Sequence, residues 1–190
     1  SMTDEPARSA TLFAARYARE HGLTVSYDPN LRRNLWSDEQ TARQYIREGL
    51  NLCDVAKLSD EECTFLCGDG EIDALGHRLL AEHPNLKLLF VTCGAGGSYA
   101  FCGSRMAFVP GFSVKIADTT GAGDAFVGAV LYQILRRGGL REAYSPAELE
   151  QLLTFGNAVG ALSVQRYGAI PAIPTLAETE SFLHAQGLLG

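Results

Sequence analysis

The chain has 190 residues, 46% of them apolar and 20% charged, with 16 basic against 22 acidic side chains and a net charge of −6. That balance is ordinary for one folded domain and excludes disordered or collagen-like composition. It argues against a general nucleic-acid or membrane-surface binder, which would carry a basic face.

The opening residues Ser1 to Pro6 have no basic stretch and no apolar core, so no signal peptide is expected. No apolar run reaches the ~18 residues of a membrane span, and the cytoplasm is the expected location. A helix is predicted over Pro6 to His21, stopped by Gly22, then a strand over Leu23 to Tyr27 that ends at Asp28-Pro29-Asn30. Ser37 is expected to cap a helix to about Leu52, with Gln40 at its third position. Trp36 is expected in the core. Asp54 to Leu58 reads as a strand, and Ser59 with Glu62 as a capping box for a helix to about Leu66. Glu71 to His83 is helical, stopped at Pro84. Leu86 to Thr92 is a nearly continuous apolar strand, as suits a strand covered on both faces.

After the turn at Gly96-Gly97, strands are expected over Ser98 to Cys102, Arg105 to Val109 and Ser113 to Ala117. Gly121 to Arg137 is an amphipathic helix, followed by helices over Pro146 to Arg166 and Leu176 to Gln186. The alternation of strand and helix implies a parallel sheet covered by helices, with ligands outside the carboxyl ends of the strands. The five cysteines, Cys53, Cys63, Cys67, Cys93 and Cys102, lack zinc-ligand spacing and read as buried free thiols of a reducing compartment. The four histidines form no cluster and are assigned no chemistry.

The strongest local signal is Asp118-Thr119-Thr120-Gly121-Ala122-Gly123-Asp124-Ala125-Phe126. Two glycines flank a small residue at the mouth of a long helix. Free N–H groups and the helix dipole there favour an anion, and a phosphate is the expected guest. A Walker A loop would need Lys and Ser or Thr after Gly123, and a dinucleotide fingerprint would need glycine at Phe126. The plain alternative is an ordinary helix entry, with Asp124 complementing the dipole by ~0.3–1 kcal/mol.

This stretch resembles the C-terminal signature of the ribokinase-like (PfkB) family of carbohydrate kinases. Other segments match in order. Asp28-Pro29-Asn30-Leu31-Arg32 with Leu35-Trp36 resembles the fructokinase and 2-keto-3-deoxygluconate kinase branches. Lys57 to Glu62 resembles the segment carrying Asn-x-x-Glu, with Ser59 in place of the usual Asn. Val91 to Gly97 resembles the Thr-x-Gly-x-x-Gly turn. Phe155 to Ala158 through Gly168 to Pro171 resembles the closing helix and final nucleotide-site loop.

The resemblance implies a ribokinase-like three-layer α/β/α sandwich with a mostly parallel central sheet. Residues 1–190 would form a single α/β domain, the C-terminal nucleotide-binding and catalytic portion, without the family's N-terminal strands and lid. It assigns Asp124 as the base for the sugar hydroxyl, and the amides of Gly121, Ala122 and Gly123 as the anion hole. Lys57, Ser59, Thr92, Gly94, Gly97 and Asn157 become candidates for the ATP site. Glu62 becomes a candidate for orienting water around Mg²⁺. Asp118, Thr120 and the Gly168 region become ligands of a monovalent cation such as K⁺. Asn30 and Arg32 face the sugar, and Arg32 suits a carboxylate or phosphate.

Rival roles stay open: a strand-end lysine for Lys57, turn glycines at Gly94 and Gly97, a buried helix contact for Asn157, and a hydrogen-bonded loop around Asp118 and Thr120. The leading expectation is a fructokinase-like ATP-dependent kinase. The alternatives are a 2-keto-3-deoxygluconate or ribose kinase, and a truncated non-catalytic nucleotide-binding fragment. A dinucleotide-dependent oxidoreductase fits poorly, because the fingerprint spacing fails. Sugar and ATP are the expected partners, with homodimer formation or pairing through exposed sheet edges.

Overall fold

A computed structural model describes residues 2–188. Seven helices and five strands follow in the order α1 (Ala7–Glu20), β1 (Ser26–Tyr27), α2 (Glu39–Leu50), β2 (Val55–Ser59), α3 (Asp60–Cys67), α4 (Ile72–Glu82), β3 (Leu88–Thr92), β4 (Ser98–Cys102), β5 (Arg105–Val109), α5 (Ala122–Arg136), α6 (Pro146–Ser163) and α7 (Leu176–Ala185). The sheet is mixed but mostly parallel, in the order β1-β2-β3-β4-β5. β1 pairs in parallel with β2, Ser26 opposite Val55 and Tyr27 opposite Ala56. The chain divides into two compact units, one up to Val91 with Phe101–Arg105, the other Thr92–Ala100 with Met106 onward.

In the first unit the first four residues of both β2 and β3 are buried, including Val55, Ala56, Leu58, Leu88, Leu89, Phe90 and Val91. Both faces of these strands are therefore covered, which explains their unbroken apolar pattern. Burying each such side chain contributes ~1.5–3 kcal/mol. Lys57 is the exception inside β2, and it is buried too.

Helix α3 is held at both ends. The Ser59 hydroxyl accepts from the Glu62 amide and the Glu62 carboxylate accepts from the Ser59 amide, the predicted capping box. At the other end, Arg43 donates to the Phe65 carbonyl at 2.8 Å, Arg47 to Leu66 at 2.9 Å and Arg78 to Cys67 at 3.1 Å. The last carbonyls of a helix have no partner within it, and cations there also oppose the helix dipole.

In the second unit α5 packs on α6 through Ala125, Ala129, Phe155, Ala158 and Val159, joined by Leu183 of α7. Gly156 permits the close approach, since a Cβ there would lie 2.6 Å from the Phe126 ring. α6 and α7 both begin with capping boxes, Ser145 with Glu148 and Thr175 with Glu178.

Several predicted elements are corrected. The strand predicted over Leu23 to Tyr27 shrinks to Ser26–Tyr27, because the Leu23 amide turns back to the Ala18 carbonyl at the end of α1. The Val25 amide goes to the Asp54 carboxylate instead of a ladder partner. Asp38, not Ser37, caps α2: its carboxylate accepts the Thr41 amide at 2.8 Å, and Ser37 donates to that carboxylate. Ser113 to Ala117 is not a strand. Its end turns into the Val164 carbonyl, which accepts from both Ala117 and Asp118, and α6 stops at Ser163 instead of Arg166. Trp36 is half-buried and stacks on Tyr45 instead of entering the core. The thiols are all free, but Cys67 and Cys93 are only partly buried.

Candidate functional site

In the second unit α5 opens with Gly121 in the left-handed region (φ 79°), and no side chain caps this end. Steric demand fixes the residue type: a Cβ on Gly121 would press on Ala169 at 2.9 Å. α2, α3, α6 and α7 are finished by a capping side chain, whereas α5, like α1 and α4, is not. Ala122 and Gly123 line a cleft of about 410 Å³ with Thr92, Gly94, Gly97 and Asn157. Five of the predicted nucleotide and anion-hole positions besides Asn157 thus share one cavity. Its remaining wall is largely apolar, with Phe112, Val114, Ile116 and Phe126. Asp124 lies in the first turn of α5, exposed, its carboxylate without a hydrogen bond or ion pair among the described residues.

Two backbone turns form part of the cleft. Gly97 (φ 116°) sits so close to the 109–111 segment that any Cβ would strike the Val109 carbonyl and the Pro110 Cα. A Cβ on Gly111 would likewise strike the Ala95 carbonyl. These glycines are required by close approach as well as by turn geometry.

Asp118, Thr120 and Gly168 come together in one hydrogen-bonded cluster. One Asp118 oxygen accepts the Thr120 amide at 2.9 Å and its hydroxyl at 2.7 Å; the other accepts the Gly168 amide at 3.1 Å. These donors, the Thr120 hydroxyl first, hold the Asp118 carboxyl below the usual carboxylate range.

The first unit contains a second cleft, about 250 Å³, lined by Asn30, Arg32, Lys57, Ser59 and Glu62 with Leu31, Arg33 and Glu61. It gathers the predicted sugar residues, and it also takes Lys57 and Ser59, which the nucleotide assignment had grouped with Thr92 and Asn157. Lys57 forms an ion pair with Asp28 at 3.3 Å, both side chains largely buried. Burial raises the Asp28 carboxyl above its ordinary value, the Lys57 ammonium opposes that rise, and Glu62 adds to it. Glu62 is buried and fully engaged: one oxygen accepts the Leu31 amide at 2.6 Å, the other the Ser59 amide at 2.7 Å. Asn30 is held at φ 46° with its amide on the Asp28 carboxylate. Arg32 is exposed and folds onto the Leu31 carbonyl at 3.2 Å.

Sequence reasoning missed Asp28 as a buried partner, although it stands inside the Asp-Pro-Asn segment. It also missed Ser98, which is wholly buried and donates to Asn157 at 2.7 Å. A hydroxyl directly after Gly97, at the head of an apolar strand, was the available signal.

The α/β fold is shared with sugar kinases of ribokinase-like architecture. Fructokinase with bound ATP from Xylella fastidiosa superposes with a TM-score of 0.87 and 34% identity, covering 98% of this chain and 59% of that one. A double mutant of fructokinase from Vibrio cholerae O395, with fructose, ADP and potassium ion bound, gives 0.84 and 35%, covering 96% and 57%. Fructokinase-2 of Solanum lycopersicum is 43% identical over 183 residues, 96% of this chain and 55% of its own length. The pfkB family carbohydrate kinase model matches residues 2–176. The chain belongs to the pfkB family of carbohydrate kinases. It spans a little over half the length of these relatives.

Proposed function

We propose that residues 1–190 are the nucleotide-binding and catalytic C-terminal portion of a fructokinase-like, ATP-dependent sugar kinase, acting as a single α/β domain. The observation that carries this is the uncapped, glycine-lined mouth of α5 opening on the larger cleft, with the unengaged Asp124 carboxylate in the same helical turn. Phosphoryl transfer asks a protein mainly for position and charge neutralisation. Asp124 takes the proton of the sugar hydroxyl as its oxygen attacks the γ-phosphorus of ATP. The bond from that phosphorus to the β–γ bridging oxygen breaks, and ADP departs with the electron pair. The amides of Gly121 and Gly123 stabilise the developing negative charge, joined by that of Ala122, which here donates to the Thr119 carbonyl at 3.3 Å.

ATP fits the larger cleft by its backbone-lined, anion-accepting end and its apolar wall. Mg²⁺ would supply charge neutralisation at the phosphates, and Glu62, whose oxygens each accept a backbone amide, is the residue proposed to orient its water shell. The ionised Asp118, with Thr120 and Gly168, suits K⁺ beside the anion hole. Asn30 and Arg32 contact the sugar, and fructose is the favoured acceptor, as in the relatives named.

The test is ADP release from ATP with fructose, comparing the chain with its Asp124→Asn variant. Turnover should fall by at least the ~10²–10⁴-fold of a lost general base while ADP binding persists. Unchanged turnover in the variant would reject the assignment. A second proposal follows from the chain's spanning only 59% of the Xylella enzyme: alone it is a nucleotide-binding fragment. ADP binding without fructose-dependent turnover would favour it.

A further inference from the structure

Asn157 lies in α6 at a position where the resemblance expects a nucleotide contact, yet its amide is already used. Nδ2 donates one proton to the Val109 carbonyl at 3.0 Å and the other to the Pro110 carbonyl at 3.3 Å. Oδ1 accepts the Ser98 hydroxyl at 2.7 Å. The Val109 and Pro110 carbonyls hold Nδ2, while Oδ1 keeps a second lone pair. Ser98 is fully buried and does not line the cleft. It follows Gly97, whose backbone touches the 109–111 segment, and the Gly111 amide donates to the Gly96 carbonyl at 3.4 Å. Gly94, Ala95, Gly97 and Gly111 all line the cleft. One amide therefore ties α6 to the start of β4 and to the end of β5, the two supports of the glycine turns.

We propose that Asn157 and Ser98 are a positioning pair that sets the shape of the larger cleft. The proposal rests on the nucleotide assignment of that cleft and assigns Ser98, remote from any ligand, a part in affinity. Losing the Ser98 hydroxyl frees Oδ1 and lets the amide rotate, so the two turns separate. If Asn157 touched the nucleotide itself, removing a hydroxyl outside the cleft would matter far less than removing the amide.

The experiment is titration of the chain with ADP, well below its melting temperature, for Ser98→Ala, Asn157→Ala and the double variant. Amide hydrogen exchange is followed at Cys93, whose N–H donates to the Gly97 carbonyl, and at Gly111. Each single variant should weaken ADP binding about five- to tenfold, the scale of one lost hydrogen bond. The double variant should be no weaker than Asn157→Ala, as expected of residues acting as a unit. Exchange at Cys93 and Gly111 should quicken in both. Wild-type affinity in Ser98→Ala beside a loss in Asn157→Ala would overturn the proposal and make Asn157 a direct ligand. Lower melting temperatures with unmoved ADP affinity would also overturn it, leaving a role in folding alone. Failure of the unaltered chain to bind ADP would overturn the nucleotide assignment, and with it the role in affinity; the exchange rates would still decide whether the tie exists.

Discussion

The carboxylate of Glu62 accepts the backbone amide of Leu31 at 2.6 Å, joining positions 31 residues apart. Its other oxygen closes the capping box on Ser59. Glu62 thus fixes the loop carrying Asn30 and Arg32 as well as the start of α3. Glu62→Gln keeps the shape but turns an NH₂ group towards a backbone N–H. A loss of about 1–3 kcal/mol is expected, read as a lower urea midpoint with unchanged slope.

Lys57 and Asp28 are 9% and 15% exposed, so breaking their pair strands a charge away from water. Lys57→Met should cost about 3–5 kcal/mol at neutral pH, and adding Asp28→Asn should recover part of it. The pH dependence has a definite sign. Because the folded Asp28 carboxyl is raised by burial, the folded state holds that proton more tightly than the unfolded chain. Its contribution is fully present below the ordinary carboxylate value, about 4, and is lost as pH rises through the raised one. Removing Lys57 lifts that value further, so stability should fall more steeply as pH rises above the ordinary carboxylate value. A series of urea titrations at rising pH measures it, and a slope no steeper than wild type would count against the pair's role.

Gly94 and Gly97 both have positive φ but different surroundings. A Cβ on Gly94 (φ 55°) meets nothing within 4 Å, whereas one on Gly97 meets the Val109 backbone. Gly94→Ala should therefore cost only the left-handed penalty of ~1–2 kcal/mol. Gly97→Ala must also push the 109–111 segment away, and should cost more than ~3 kcal/mol. Parallel urea titrations compare them.

His83 is buried, with Nδ1 donating to the Asn51 side-chain carbonyl at 2.6 Å and Nε2 without a partner among the described residues. Burial, aided by Arg47, lowers its pKa. The unfolded chain thus takes up a proton first as pH falls, and stability drops from about pH 6.5 downwards to the lowered value. His83→Gln should flatten this part of the stability curve, measured by the urea midpoint from about pH 7.5 to pH 5.

Local signals carried a large part of the fold. The capping box at Ser59 and Glu62, the apolar run of β3 and the amphipathic α5 are each set by neighbouring residues, and each could be read from spacing. Errors arose where a distant group decided. Leu23 to Val25 looked like strand, but the amides of Leu23 and Val25 are taken by Ala18 and the Asp54 side chain. Ser113 to Ala117 had strand composition, yet its terminal amide found the Val164 carbonyl. At the site, the glycine mouth was legible because its chemistry is local. The pairing of Lys57 with Asp28, and of Ser98 with Asn157 across 59 positions, was not. No spacing rule links such residues.

The three arginines at the end of α3 have a dynamic consequence. A short helix ordinarily frays from its last turn, yet this one has its final carbonyls tethered to α2 and α4 by Arg43, Arg47 and Arg78. Opening one end would mean letting go of two neighbouring helices together. The backbone beneath Ser59 and Glu62 should accordingly behave as a stiff plate, and any ligand arriving there meets a surface already in its final form.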